Sequence, residues 1–188
     1  MNFLYQIDLF LFKLINQATA NSAFDWFFPA ITDLHLNKWF SLSVVVIVFS
    51  CLIYKFKKKG LLYFLFLILT VSVSDFSGSK VKRIADRPRP FQILETQTIQ
   101  RSPASTDTSF YSNHATNNFA FATYMSFIFP EAKLVLFSFA SVIAYSRVYN
   151  GVHYPSDVFA GAFMGIFWGF LFNYLLIKLF SVIQRKTT

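Results

Sequence analysis

The sequence predicts an all-α protein, a polytopic membrane bundle of about five or six transmembrane helices. Three observations predict it. Of its 188 residues, 55% are hydrophobic and only 14% charged, too apolar for a soluble domain of this size, which leaves much of its surface in water. Phe alone contributes 26 residues. The apolar residues are also gathered into runs that approach the length needed to cross a bilayer.

Residues 39–54 are uncharged, rich in Val and Ile, and carry an aromatic near each end as an interfacial anchor. Residues 60–73 form a second run that continues with a more polar face through Asp75 towards Lys80. Residues 115–129 form a third, stopped by Pro130, and 132–145 follow after almost no loop, as in a helical hairpin. Residues 158–180 form the longest, with Gly161, Gly165 and Gly169 on one face at a spacing that permits close helix contact. Residues 1–37 are interrupted by Asp8, Lys13, Asp25 and Asp33 and read as two amphipathic interfacial helices, or as one imperfect first span. The start lacks the basic and small-residue features of a removable signal peptide. The whole reads as one membrane-embedded domain, 1–188, with a helical core over 38–188 and a polar loop over 89–112.

Lys and Arg number 17 against nine Asp and Glu, a net charge of +8. The basic residues are divided among apolar segments, a pattern for headgroups and anions and not for nucleic acid. Cys51 is the only cysteine and lies in an apolar run, so neither a disulfide nor a cysteine metal cluster is expected. Lys55, Lys57, Lys58 and Lys59 place their loop in the cytoplasm by the positive-inside rule, and Arg185 and Lys186 agree. Lys80, Lys82, Arg83, Arg87, Arg89 and Arg101 then face outward against that rule. A cluster this dense calls for a bound anion.

Three stretches on that side carry the chemistry. Lys80 and Arg87 are seven apart and share a face if the second helix continues, with Pro88 ending it; a lysine and an arginine so placed suit phosphate oxygens, or they snorkel at a helix end. Ser112 is a good N-cap before the third run. It frees the amides of Asn113 and His114 for an anion and sets His114 beside it. Arg147 ends an apolar helix, where an uncompensated charge is costly. His153 and Asp157 are spaced so that the carboxylate orients the imidazole, or forms a satisfied structural pair with it. Taken together the groups suit phosphoryl transfer through a phosphohistidine, with His153 attacking, Asp157 orienting it and His114 protonating the leaving oxygen. Lys80, Arg87, Arg147, the Ser112 hydroxyl and nearby amides such as that of Asn113 would neutralise the phosphoryl oxygens. No spacing suggests a metal site or a cofactor.

Lys80-x6-Arg87-Pro88, Ser112-x-His114 and Ser146-Arg147-x5-His153-x3-Asp157 resemble the tripartite signature of the type 2 phosphatidic acid phosphatase superfamily. The resemblance covers residues 80–157 in the right order. It implies metal-independent hydrolysis in a helical bundle with the site near the outer membrane surface. It departs from the family at the middle motif, where Tyr111-Ser112-Asn113-His114 stands in place of Pro-Ser-Gly-His. The expected substrate is a membrane lipid phosphate or pyrophosphate, with undecaprenyl pyrophosphate, the 1-phosphate of lipid A and phosphatidylglycerol phosphate as candidates. The expected setting is the inner (cytoplasmic) membrane with the site towards the periplasm or exterior; the oligomeric state carries no sequence signal. A non-catalytic protein that binds or moves anionic lipids is the rival reading, and it gives no task to His114 and the His153–Asp157 pair. Asp75 is expected to pair with a cation, Asp86 to hold a guanidinium, and Tyr149 and Tyr154 to anchor at the interface.

Overall fold

The computed structural model describes residues 3–104 and 107–187, and is 84% helical with no strands among them. Seven α-helices follow in order: α1 (Phe3–Lys13), α2 (Ser22–Asp33), α3 (Lys38–Phe56), α4 (Gly60–Ala85), α5 (Asn113–Ile128), α6 (Lys133–Tyr149) and α7 (Pro155–Thr187). Their starts follow local chemistry. Asn21 and Asn37 accept the free N–H groups at the heads of α2 and α3, and Ser112 does so for α5. α6 follows Pro130 and α7 opens on Pro155, which fits a first turn whose N–H is unpaired in any case.

Among the described residues, three stretches are long and apolar enough to cross a membrane: Lys38–Gln92, which holds both α3 and α4, Pro130–Tyr149 and Pro155–Arg185. α5, expected as a span, is a shorter helix of 16 residues. It is enclosed by α4, α6 and α7 and packs most extensively on α7. α1 and α2, of 11 and 12 residues, fall in none of these stretches. Each buries only a narrow face, through Asp8 and Phe12 in α1 and Phe28 and Thr32 in α2.

The glycines of α7 explain the α5–α7 contact. A Cβ at Gly161 would stand 2.6 Å from the Ser112 carbonyl oxygen, and one at Gly169 2.5 Å from Thr123 Cβ. At Gly165 it would meet the Thr116 carbonyl oxygen, with Ala120 N and Phe119 Cβ at 2.9 Å. The backbones touch because these positions hold no side chain. Beyond this seam, Leu52, Leu67, Tyr124, Met125, Ile128, Phe172 and Leu176 form the apolar core at the end that carries Lys57–Lys59. α4 places 26 residues, about 39 Å at 1.5 Å each, between that basic turn and its other end.

Replacing Gly165 by Ala is expected to lower stability by about 1–3 kcal/mol, the usual cost of overpacking. Thermal unfolding in detergent reads this; an unchanged or raised midpoint, as at an open helical glycine, would show that α7 does not sit on α5.

Candidate active site

The end of the bundle opposite the basic turn gathers polar groups from α4 to α7 and from the turns and loop between them. α6 contributes Arg147, 5% exposed, whose Nε has no hydrogen-bond partner among the described residues. The turn between α6 and α7 supplies His153, and the first turn of α7 supplies Asp157, fully buried. His153 Nδ1 faces Asp157 Oδ2 at 3.5 Å. That is an oriented electrostatic contact and not a formed hydrogen bond, and Nδ1 has no hydrogen-bond partner among the described residues. On the other edge, His153 Nε2 lies 3.3 Å from Arg89 Nη1. Burial, with Arg147, Arg89 and Lys82 close by, holds this imidazole well below the usual histidine range, so the ring is neutral with Nε2 towards the cations.

α5 begins at the same level. The Ser112 N–H donates to the Asp157 carbonyl oxygen at 3.1 Å, locking the head of α5 to the head of α7. Ser112 Oγ accepts from the Ala115 N–H at 3.5 Å. Ser112 is fully buried as this cap and does not line the cavity. His114 does line it, its ring edge against His35 at 5.1 Å between centroids. His35, which the motifs did not flag, is fixed by its Nδ1 at 2.8 Å from the Thr32 carbonyl oxygen. Asn113 turns its side chain to α4, donating to Asp75 Oδ1 at 3.1 Å and Ser79 Oγ at 3.3 Å, and its Oδ1 fills the place of a side chain at Gly78.

The cations differ from the expected pair. Lys80 is exposed, lies over the Phe76 ring at 5.2 Å and does not line the cavity. α4 ends at Ala85 with Asp86 left-handed, so Arg87 is not on a helical face with Lys80. Arg87 is committed elsewhere, donating to Asp157 Oδ1 at 2.6 Å and Asp8 Oδ2 at 2.5 Å. The same spacing recurs two residues on, as Lys82-x6-Arg89-Pro90. Lys82 and Arg89, 8% and 4% exposed, line the cavity with Arg147, His114 and His153. Asp107 holds both, at 2.5 Å from Arg89 Nη2 and 3.9 Å from Lys82 Nζ.

Other expectations fail for the same reason, partners brought from far along the chain. Asp75 accepts amide hydrogens from Asn113 and Asn117 and meets no cation among the described residues. Asp86 is exposed and makes no ion pair among the described residues, while Asp8 and Asp157 hold the neighbouring guanidinium. Tyr149 and Tyr154 are buried at 0% and 1% exposure. Arg101 pairs with Asp25 at 2.5 Å, and Asn16 bonds both the N–H and the carbonyl of Ile99, so this part of the polar loop is strapped to α2 and to the turn after α1. No group of three or more His, Cys, Asp or Glu able to hold a metal ion occurs among the described residues.

The cavity is about 910 Å³. Its polar end is the site above, and its flank is apolar, with Leu36, Phe40 and Val44 on one side and Leu136, Phe139 and Ile143 of α6 on the other.

A family profile described as the PAP2 superfamily matches residues 59–180. The chain belongs to the PAP2 superfamily. It is 31% identical to a lipid A 4'-phosphatase of Bacteroides thetaiotaomicron over 69% of this chain and 61% of that protein, under two thirds of that relative's length. It is 29% identical to an undecaprenyl-diphosphatase of Sulfolobus acidocaldarius over 86% of this chain and 74% of the other. Among solved structures, Aquifex aeolicus LpxE superposes with a TM-score of 0.73 at 29% identity, covering 88% of this chain and 94% of that one. A transmembrane PAP2-type phosphatidylglycerolphosphate phosphatase of Bacillus subtilis gives 0.71 at 22% identity over 95% and 88%, a likeness of fold. This PAP2 chain is a membrane protein. Asp8 and His35 lie before the matched residues, so α1 and the turn before α3 add to the site from outside them.

Orthovanadate, a phosphate mimic, separates the two lysines. Lys82→Ala and Arg89→Ala are expected to weaken its binding at least about tenfold, and Lys80→Ala less than about twofold. Asp107→Asn is expected to tighten it, since the mimic no longer competes with a carboxylate. Equal losses from Lys80→Ala and Lys82→Ala in calorimetric titration would restore the first pairing.

Proposed function

We propose that this protein is an integral membrane phosphatase that hydrolyses a lipid phosphate or pyrophosphate through a phosphohistidine. The observation that carries the proposal is His153, held between Asp157 at Nδ1 and the Arg89 guanidinium at Nε2, at the polar end of a cavity with apolar flanks. The lipid tail lies along Phe40, Val44, Leu136 and Phe139, entering sideways between α3 and α6. The phosphoryl group meets Lys82, Arg89 and Arg147 with the N-terminal amides of α5.

His153 Nε2 attacks phosphorus. The bond from phosphorus to the lipid oxygen breaks, and that oxygen takes a proton from His114. The phosphorylated ring is cationic, its Nδ1–H towards Asp157. Water then attacks phosphorus as His114 takes its proton, and inorganic phosphate leaves while His153 returns to its neutral form. Burial, with Arg147 and Lys82 close by, holds His114 well below the usual histidine range; a bound phosphate offsets those two cations and so favours the proton that His114 must give.

Relatives named for lipid A and for undecaprenyl diphosphate support this class of substrate. The test is phosphate release by purified protein in detergent with EDTA, over undecaprenyl pyrophosphate, phosphatidylglycerol phosphate, phosphatidic acid and lipid A. Release is expected to survive EDTA and to fall at least about a thousandfold in His153→Ala; the fastest lipid identifies the substrate. Folded protein that releases nothing from any of them would support lipid binding or transport instead.

The inner membrane, with the site facing the exterior, is the orientation that the basic turn favours, since Lys57–Lys59 stands at the far end of α4 from Lys82. In a Cys51→Ser background, an impermeant thiol reagent is expected to label Glu95→Cys on whole cells and Lys58→Cys only after lysis. The opposite pattern would invert the topology. Ser105 and Thr106, in the same polar loop, lie outside the described residues.

A further inference from the structure

Behind His153 runs a chain of charges of which the phosphoryl chemistry above uses only the first, Asp157. Asp157 gives Oδ2 to the Tyr154 N–H at 2.9 Å and Oδ1 to Arg87 Nη1 at 2.6 Å. Arg87 lies over the Tyr154 ring at 4.0 Å and reaches on to Asp8 Oδ2 at 2.5 Å. Asp8 belongs to α1, and its side chain is 8% exposed. It also accepts the Ser156 N–H at 2.9 Å and the Ser156 hydroxyl at 2.5 Å, so three donors converge on its two oxygens.

The charges decide what this arrangement does. Asp157 with Arg87 alone is a neutral pair. On its cavity side His153 faces three cations, Arg147, Arg89 and Lys82, the last two held by Asp107. With the phosphoryl charge taken up by those cations, a neutral pair behind the ring would leave the Nδ1 edge of the cationic imidazole facing no net negative charge. Asp8 makes the group two carboxylates and one guanidinium, net −1.

We propose that Asp8 is a positioning residue that offsets Arg87 and so keeps Asp157 an effective counter-ion for His153 during turnover. The short amphipathic helix at the start of the chain thereby belongs to the reaction centre. The proposal rests on reading His153 as the nucleophile.

A charge-balanced pair of variants tests it. Asp8→Asn leaves the group neutral and is expected to lower kcat at least about tenfold, with KM within about threefold, because the phosphate ligands are untouched. Asp8→Asn with Arg87→Gln returns the net charge to −1 and is expected to bring kcat back to within about threefold of wild type. If Asp8 only pins α1, the order reverses: the asparagine side chain keeps most of the hydrogen bonds and the activity, and the second change adds damage. Wild-type kcat in Asp8→Asn, or a double variant no faster than the single, overturns the proposal. Should Asp8→Asn fail to give folded protein, judged by thermal unfolding and gel filtration, the double variant alone decides, since the proposal requires it to be active. Wild-type protein that releases no phosphate from any lipid would overturn the phosphatase reading first, and this one with it.

Discussion

The contact of two helix backbones sets the geometry on which the site depends. α7 lies on α5 because Gly161, Gly165 and Gly169 present no side chain to it, and the heads of both helices therefore meet at one level. The Ser112 N–H to the Asp157 carbonyl fastens that junction. In a bilayer, apolar burial does little to hold one helix against another, so close packing of small residues and shared hydrogen bonds carry that task. Two helix N-termini brought together add their partial positive charge to Lys82, Arg89 and Arg147. The result is a concentration of positive charge in the cavity that His114 and His153 line.

Much of this was legible in the sequence. Apolar runs located α3 to α7 and the glycine spacing showed a face fit for close contact, without naming its partner; His114, Arg147, His153 and Asp157, singled out from their motifs, fall at one end of the bundle. The register of the first motif was not legible from spacing alone, because Lys80-x6-Arg87-Pro88 and Lys82-x6-Arg89-Pro90 both occur. Helix phase distinguishes them. The buried stripe of α4 runs Leu67, Thr70, Ser74, Gly78, and its next member is Lys82; Lys80 lies off it. Asp8, His35, Tyr149 and Tyr154 were misread or missed because their partners come from distant elements, and no local period carries that information.

Irregular backbone at the head of a membrane bundle must find its hydrogen bonds within the protein. Here the first residues of the chain provide them. Asn16 pairs with Ile99 and with the Tyr149 carbonyl, and Arg101 reaches the carbonyls of Asn16 and Tyr149 and the carboxylate of Asp25. The segment whose acidic residues made it a poor span is thus the strap that orders the polar loop, and its apolar faces remain outward for lipid. Charge that looks misplaced in an apolar helix is paired across the fold.

The exchange of glycine for asparagine at position 113 shows how such a fold shares space. Asn113 Oδ1 stands where a side chain at Gly78 would begin, with Asn113 Cγ at 3.0 Å and Tyr111 Cε2 at 3.1 Å from that point. Positions 78 and 113, on different helices, therefore hold one side chain between them. Glycine at 113 would free most of that volume for a small residue at 78, whereas enlarging both would pry α4 from α5. The two positions are constrained as a sum, and a change at either is interpretable only with the other in view.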